Sequence, residues 1–273
     1  MGWQCIEDRL SEPREAGSPA IIPYLTVGFP DVATTLEMAP ALEEAGAAVI
    51  ELGVPFSDPL ADGPTVQQCG FHALRQGVTL RRCLEACATL RARGLTVPLV
   101  FMGYYNPLLA YGLEALAGDA ASAGLDGFIV PDLPAEEAGP LLAACEAREL
   151  AVVPLLAPTS TDQRVAAACG RARGFVYCVS RLGITGARQE LSEDAHSLVR
   201  RVRQYTDLPV AVGFGVSSPE HVAELGKVAD AVVVGSALLK AVSEAPPGLE
   251  AVRAREFLAR LGGNGSPTEG SHA

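Results

Sequence analysis

Residues 47–65 read AAVIELGVPFSDPLADGPT, an apolar run followed by a loop rich in proline and glycine. The run over residues 48–53 is apolar except for Glu51, so apolar and polar side chains do not alternate along it. Near-continuous apolar runs are typical of parallel strands that are buried on both faces. Proline and glycine then end the strand. This stretch therefore predicts one strand and one loop of a parallel α/β sheet.

The same pattern recurs along the chain. Strands are predicted at residues 21–27, 48–53, 99–104, 127–132, 152–157, 174–180, 210–215 and 231–235. Amphipathic helices are predicted between them, among others at residues 35–45, 80–93, 135–148, 192–205 and 219–228. This repetition predicts the α/β class and a single (β/α)8 TIM barrel. An open doubly wound sheet is the alternative, but the glycine-rich first turn of that fold does not follow the first strand.

The 273 residues are predicted to form one catalytic domain, the barrel of residues 1–261. Barrels of this kind routinely use about 250 residues in one domain. An extra amphipathic helix is predicted at residues 4–16, before the first strand. Residues 262–273 are rich in glycine, serine and asparagine without periodicity, and they are predicted to be a disordered C-terminal tail.

The composition excludes several classes of protein. Hydrophobic residues make up 49% of the chain, which is enough for a large core and rules out a fibrous or disordered protein. The net charge is −11 and the basic residues are scattered, which argues against a nucleic-acid partner. Neither a signal peptide nor a membrane span is predicted, because charged residues or prolines interrupt the apolar runs. Seven cysteines without C-x-x-C spacing favour a reducing compartment, the cytoplasm.

Catalytic residues of such a barrel lie at the C-terminal ends of the strands and in the loops that follow. Glu51 would place a carboxyl group in a mostly apolar cavity, where burial raises its pKa and suits it to proton transfer near neutral pH. The alternative is a buried acid that is satisfied by hydrogen bonds. Asp62 is a candidate second carboxylate of the same pocket, and Asp58 lies nearer the rim. Both aspartates are alternatively turn or cap residues, since each precedes proline or glycine.

Three glycine-rich segments late in the chain predict an anion site. They are SRLGITGAR (residues 180–188), GFGVSSPEHV (213–222) and VVVGSALLK (232–240). Glycine lets the backbone approach an anion, and a serine that opens the next helix adds amide N–H groups and the helix dipole. Gly213, Gly215 and Ser217 are alternatively ordinary turn and cap residues. Three such loops at neighbouring strand ends favour the anion site.

The residue types missing from the predicted strands argue against two kinds of catalysis, through a Schiff base and through a metal ion. Its only lysines, Lys227 and Lys240, lie in helical context, so no strand presents an amine for a Schiff base. The four histidines have no metal-ligand spacing, and no metal site is predicted. Carboxylate acid–base catalysis remains. Tyr177 either assists it or fills the barrel interior.

Five segments together resemble the tryptophan synthase α subunit family. They are PYLTVGFPD (residues 23–31), ELGVPFSDPLADGPT (51–65), GFIVPDLP (127–134), YCVSRLGITGAR (177–188) and VGFGVSSPEHV (212–222). They occur in the family's order and cover nearly the whole chain. The segment over residues 51–65 is the most specific, since glycine loops alone would fit many phosphate-binding barrels.

The resemblance implies a carbon–carbon lyase of L-tryptophan biosynthesis, which cleaves indole-3-glycerol phosphate to indole and glyceraldehyde 3-phosphate by a retro-aldol reaction. It implies that the catalytic residues are Glu51, Asp62 and Tyr177. Glu51 would transfer protons, and Asp62 would accept the indole N–H. The substrate-binding residues that it implies are Tyr24, Met102, Ile129, Thr185, Gly186, Gly213, Phe214, Gly215, Gly235 and Ser236.

The resemblance also implies a partner. The family works as an α2β2 heterotetramer, whose β subunit carries pyridoxal phosphate and receives the indole. No cofactor is implied in this chain. The implied contact face comprises Pro55, Asp58, Pro59 and residues 106–109 and 134–137.

Other functions fit parts of this pattern. A stand-alone indole-3-glycerol-phosphate lyase would use the same carboxylates without a partner. A catalytically idle allosteric barrel would have lost one carboxylate, and both Glu51 and Asp62 are present. Another phosphate-binding barrel, such as a sugar-phosphate isomerase, would not need the segment over residues 51–65.

Overall fold

The computed structural model describes residues 2–12, 18–179, 188–213 and 215–262, without the side chains of residues 188–194. Short strands alternate with helices along the chain. The strands are β1 (Ala20–Thr26), β2 (Ile50–Gly53), β3 (Leu99–Met102), β4 (Gly127–Ile129), β5 (Ala151–Val153), β6 (Leu155–Leu156), β7 (Val176–Val179), β8 (Val210–Gly213) and β9 (Ala231–Val234). The helices are α1 (Trp3–Ser11), α2 (Val32–Glu44), α3 (Pro64–Arg75), α4 (Leu80–Ala92), α5 (Tyr105–Tyr111), α6 (Leu113–Ser122), α7 (Gly139–Glu146), α8 (Asp162–Cys169), α9 (Arg188–Val202), α10 (Pro219–Leu225), α11 (Ser236–Ser243) and α12 (Glu250–Leu261).

All strand pairs are parallel, and the strand order is β5-β4-β3-β2-β1-β9-β8-β7-β6. The two ends of this order, β5 and β6, are separated in the chain only by Pro154. Together they replace the one strand predicted over residues 152–157, because proline has no N–H for the ladder. The Pro154 carbonyl still accepts from the Tyr177 N–H at 3.0 Å. The sheet therefore closes, and the predicted TIM barrel is confirmed.

Successive residues of each strand point alternately into the barrel interior and towards the surrounding helices. On β1, Ile22 packs with Val100 and Val233 inside the barrel, whereas its neighbour Ile21 packs in the layer beneath the helices. Both faces are thus apolar, which explains why the strands read as continuous apolar runs. A polar side chain on an inward position, such as Glu51, is consequently exceptional.

Helix α1 covers the N-terminal end of the barrel. Its Ile6 and Leu10 are buried among the inward-facing residues of the strands. The chain just before α1 is fixed by the buried Asp126, whose carboxylate accepts from the Gly2 N–H at 2.9 Å and from Arg91 at 2.7 Å. The predicted extra helix is confirmed, but it ends at Ser11. Because α1 covers this end, a substrate is expected at the C-terminal end of the barrel.

Most strands are shorter at their C-terminal ends than predicted. The strand predicted over residues 127–132 ends at Ile129, and Pro131 follows it. The helix predicted over residues 135–148 begins only at Gly139, with Pro140 in its first turn. Helix α12 completes the barrel at Leu261. The predicted tail lies outside the described residues beyond Gly262.

Candidate active site

Glu51 lies on β2 and extends its carboxyl group into the barrel. It pairs in register with Tyr24 of β1 and Val100 of β3, and only 1% of its surface is exposed. In the described part of the chain, neither carboxylate oxygen has a hydrogen-bond partner. Burial, and to a lesser extent the charge of Asp62, raises the pKa of Glu51 from 4.5 to about 8. The group is therefore mostly neutral at pH 7 and able to donate a proton.

Asp62 lies on the loop between β2 and α3, which is held from two sides. Its N–H donates to the Pro59 carbonyl at 3.1 Å, and the Gln67 side chain donates to the Asp62 carbonyl at 2.9 Å. Burial raises the pKa of the half-buried Asp62 carboxyl to about 6, although a hydrogen bond from Tyr104 lowers it. Asp62 is thus mostly ionised at pH 7. Two carboxyl groups with unlike protonation can divide acid–base and electrostatic roles between them.

Tyr24 and Tyr177 lie near Glu51 inside the barrel, and both are buried. Each ring lies against a glycine that leaves room for it. A Cβ atom on Gly53 would lie 2.0 Å from the Tyr24 hydroxyl, and one on Gly213 would lie 2.3 Å from the Tyr177 hydroxyl. The structure thus places Tyr177 in the barrel interior. Burial raises the pKa of both phenols well above 10, so both remain protonated.

The other predicted pocket residues lie on the neighbouring strands. Ile129 is buried inside the barrel, and Met102 is partly buried and packs against the cluster that contains Tyr24. These side chains form an apolar surface beside the carboxyl groups. Thr185, Gly186 and Phe214, which were predicted to bind substrate as well, lie outside the described residues.

The loops after β8 and β9 come from neighbouring strands and hold the predicted anion-binding residues. Gly235 is the N-cap of α11, and Ser236 begins that helix. Gly215 has a φ of +76°, a left-handed conformation that favours glycine. Helix α10 is capped by Ser218, not by Ser217, because the Ser218 hydroxyl accepts from the backbone of the first turn. The backbone N–H groups at the start of a helix such as α11 suit an anion.

Tyr104 is a polar residue of the site that the sequence interpretation did not identify. It follows β3 directly, is 4% exposed, and accepts the Ala61 N–H at 2.9 Å through its hydroxyl group. The same hydroxyl lies near the Asp62 carboxyl group and lowers its pKa. The available signal was its place at the C-terminal end of a strand, where a hydroxyl group faces the active end of a barrel.

No group of three or more histidine, cysteine, aspartate or glutamate side chains is placed to hold a metal ion among the residues that the structure describes. A closed parallel barrel with a neutral carboxyl, an ionised carboxylate and a glycine-rich helix start at one end defines a (β/α)8-barrel enzyme of the acid–base type.

Comparison with known proteins identifies the family. The model of the tryptophan synthase alpha chain family matches residues 10–262. The tryptophan synthase alpha chain of Roseiflexus sp. (strain RS-1) is 51% identical over 250 residues, which cover 92% of this chain and 96% of that protein. That of Chloroflexus aurantiacus is 49% identical, with 89% and 91% covered.

Solved structures agree. Mycobacterium tuberculosis tryptophan synthase superposes with a TM-score of 0.85 at 41% identity, with 95% of this chain and 97% of that chain covered. The Legionella pneumophila alpha subunit gives a TM-score of 0.86 at 30% identity, with the same shares covered. The chain belongs to the tryptophan synthase alpha chain family. The family and lyase function predicted from the sequence are confirmed.

Proposed function

We propose that this chain cleaves indole-3-glycerol phosphate with Glu51 as the acid–base residue, within the barrel domain of residues 1–261. The main support is the buried Glu51 carboxyl group, whose oxygens lack hydrogen-bond partners in the described part of the chain. An unsatisfied buried acid destabilises a fold, so a bound substrate is the natural partner for it. Its raised pKa, about 8, lies close enough to neutral pH for the group both to donate and to take up a proton.

Glu51 first donates its proton to C3 of the indole ring, which gives an indolenine. The resulting carboxylate then removes the proton of the adjacent glycerol hydroxyl. That oxygen becomes the aldehyde oxygen of glyceraldehyde 3-phosphate while the C–C bond breaks. The electron pair of the broken C–C bond restores the aromatic indole ring. One proton leaves Glu51 and one returns, so the enzyme regains its starting state.

Asp62, being mostly ionised at pH 7, accepts a hydrogen bond from the indole N–H and stabilises the positive charge that develops when C3 is protonated. Tyr24, Met102, Ile129 and Tyr177 hold the ring between apolar surfaces, which fixes C3 against Glu51. The substrate phosphate binds at Gly213, Gly215, Gly235 and Ser236, where glycines admit the anion to backbone N–H groups. Thr185, Gly186 and Phe214 complete the proposed substrate contacts.

Gly235→Ala tests the phosphate site. The three described atoms nearest to the new Cβ atom belong to Tyr24 and begin at an ordinary contact distance of 3.5 Å, so the fold should tolerate the change. It would crowd an anion at the start of α11, and we expect KM to rise roughly tenfold, or about 1.4 kcal/mol, with kcat little changed. Steady-state kinetics with indole-3-glycerol phosphate measure KM and kcat. Gly63→Ala, with nothing within 4 Å of its Cβ position, is the control. An unchanged KM would place the phosphate elsewhere.

We further propose that the chain acts in an α2β2 complex, with pyridoxal phosphate only in the β subunit and no cofactor in this chain. The support is two exposed apolar side chains in the segments that follow β2 and β3. Leu60, on the Asp62 loop, is 94% exposed, and Leu109, on α5, is 53% exposed. Most of the implied contact residues that are exposed are polar, whereas three others are buried. The exposed ones are Asp58, Asn106, Leu109, Pro134, Glu136 and Glu137, and the buried ones are Pro55, Pro59 and Leu108.

Leu109→Asp tests this surface. A charge at an apolar contact loses burial and adds a desolvation cost, so we expect the affinity for a β subunit to fall roughly tenfold or more. Titration calorimetry with a purified β subunit measures the affinity, and the activity of the isolated chain should stay unchanged. Tyr205→Asp is the matched control, because Tyr205 is 41% exposed in the loop that leads into β8, at the opposite end of the barrel. Equal affinities for the two variants would contradict the proposed face.

Indole release from indole-3-glycerol phosphate, with and without a β subunit, tests the function as a whole. Slow release that rises sharply with the β subunit is the expected result. Fast release that does not change when the β subunit is added would instead indicate a stand-alone lyase, and no release would indicate an idle barrel.

We infer that the chain works in the cytoplasm, since all seven cysteines are free. In the part of the chain that the structure describes, no helix is long and apolar enough to cross a membrane.

A further inference from the structure

We propose that Tyr104 is a positioning residue for the cleavage reaction, which acts by orienting the Asp62 carboxylate. This inference rests on the role proposed for Asp62. It concerns a residue outside the set identified from the sequence. Three observations support it: the contacts of the Tyr104 hydroxyl with the Asp62 loop, the fixed position of the Tyr104 ring, and the single proton that the hydroxyl can donate.

The Tyr104 hydroxyl joins the end of β3 to the loop that carries Asp62. It accepts the N–H of Ala61, the residue just before Asp62, at 2.9 Å. It also lies near the Asp62 carboxyl group, whose pKa it lowers. One phenol oxygen therefore fixes the backbone next to Asp62 and acts on the Asp62 side chain. This is the arrangement expected of a group that sets the direction of a carboxylate.

The Tyr104 ring is itself held in place. It stacks on Phe56 at a centroid distance of 5.3 Å and an interplanar angle of 29°, and only 4% of the residue is exposed. The backbone is fixed on the other side, since Tyr104 is the N-cap of α5 and the next N–H donates to Asp132 at 2.9 Å. A hydroxyl on such a ring has little freedom, so its hydrogen bonds direct the loop.

The hydroxyl group has one proton to donate. Because its oxygen accepts from Ala61, that proton is available for Asp62. Donation to a carboxylate stabilises the ionised form, and this hydrogen bond accordingly lowers the pKa of Asp62 against the effect of burial. Tyr104 thereby keeps Asp62 charged in a half-buried site, which is the form needed to stabilise a cationic indole ring.

Tyr104→Phe removes the hydroxyl and keeps the ring stacked on Phe56. We expect kcat/KM for indole-3-glycerol phosphate to fall roughly 10- to 100-fold at pH 7, the range for a hydrogen bond to a charged group. The acidic limb of the pH profile of kcat/KM should move to higher pH, because Asp62 loses a donor that favours its ionised form. A partly unfolded sample would lower the rate without moving this limb.

Tyr111→Phe is the matched control. Tyr111 is the last residue of α5, the helix that Tyr104 precedes, and its hydroxyl donates to Asp119 at 2.6 Å at the exposed surface. This variant should leave rate and pH profile unchanged. In an Asp62→Asn background, Tyr104→Phe should have almost no further effect, because its action passes through Asp62. Additive losses, or an unmoved acidic limb, would overturn the proposal. If the wild-type chain releases no indole, the proposed function itself fails instead.

Discussion

The Glu51→Gln variant should lose cleavage of indole-3-glycerol phosphate by roughly 10² to 10⁴, the usual contribution of a positioned acid–base group. Glutamine has nearly the same shape but neither donates a proton to C3 nor takes one from the glycerol hydroxyl. Indole release by the purified chain, followed at saturating substrate, measures the loss. Glu37→Gln makes the same change at an exposed position of α2 and should keep full activity. Wild-type turnover in Glu51→Gln would refute the assignment of the acid–base residue.

Unfolding measurements separate lost chemistry from a lost fold. The Glu51 carboxyl ionises near its ordinary pKa of 4.5 in the unfolded chain but at about 8 in the folded chain. Between these values the unfolded chain binds fewer protons, so the free energy of unfolding of the wild type falls as pH rises. Above pH 8 both states are ionised and the loss is complete. Glu51→Gln lacks this titration, and the stability difference between the two proteins should shift in its favour from pH 4.5 to 8.

The fold could be predicted because buried parallel strands leave a strong signal. Each predicted strand coincides with an observed one, since an interior on one side and helices on the other demand apolar residues throughout. The interruption at Pro154 was missed because the surrounding residues are equally apolar. Most predicted strands extend one to three residues beyond the observed C-terminal ends, at the active end of the barrel. There the chain leaves the hydrogen-bonded ladder while its sequence remains apolar.

The site could be predicted only in part, for a related reason. Glu51 stands out because a carboxyl group within an apolar strand has no packing role. Tyr104 does not stand out, since a tyrosine at the end of a strand can be a core residue as readily as a residue of the site. Its hydroxyl partner is the backbone N–H of Ala61, which comes from another loop. Backbone groups carry no sequence signal, so their partners emerge only from the three-dimensional arrangement.

Asp62→Asn should lower kcat by roughly 10² to 10³, the cost of removing one preorganised electrostatic group. The amide keeps the shape and an acceptor oxygen, so KM should change much less, while the charge that opposes the cationic ring is lost. The acidic limb of the pH profile, set by the Asp62 pKa of about 6, should also disappear.

Asp58→Asn is the matched control for Asp62→Asn, because Asp58 lies exposed on the same loop. In the isolated chain it should behave as the wild type. If Asp62→Asn kept both kcat and the acidic limb, the carboxylate would not face the reacting ring, and Tyr104 would have nothing to orient. The loss with Asp62→Asn should also exceed that with Tyr104→Phe, since a residue that only positions a charge cannot contribute more than the charge itself.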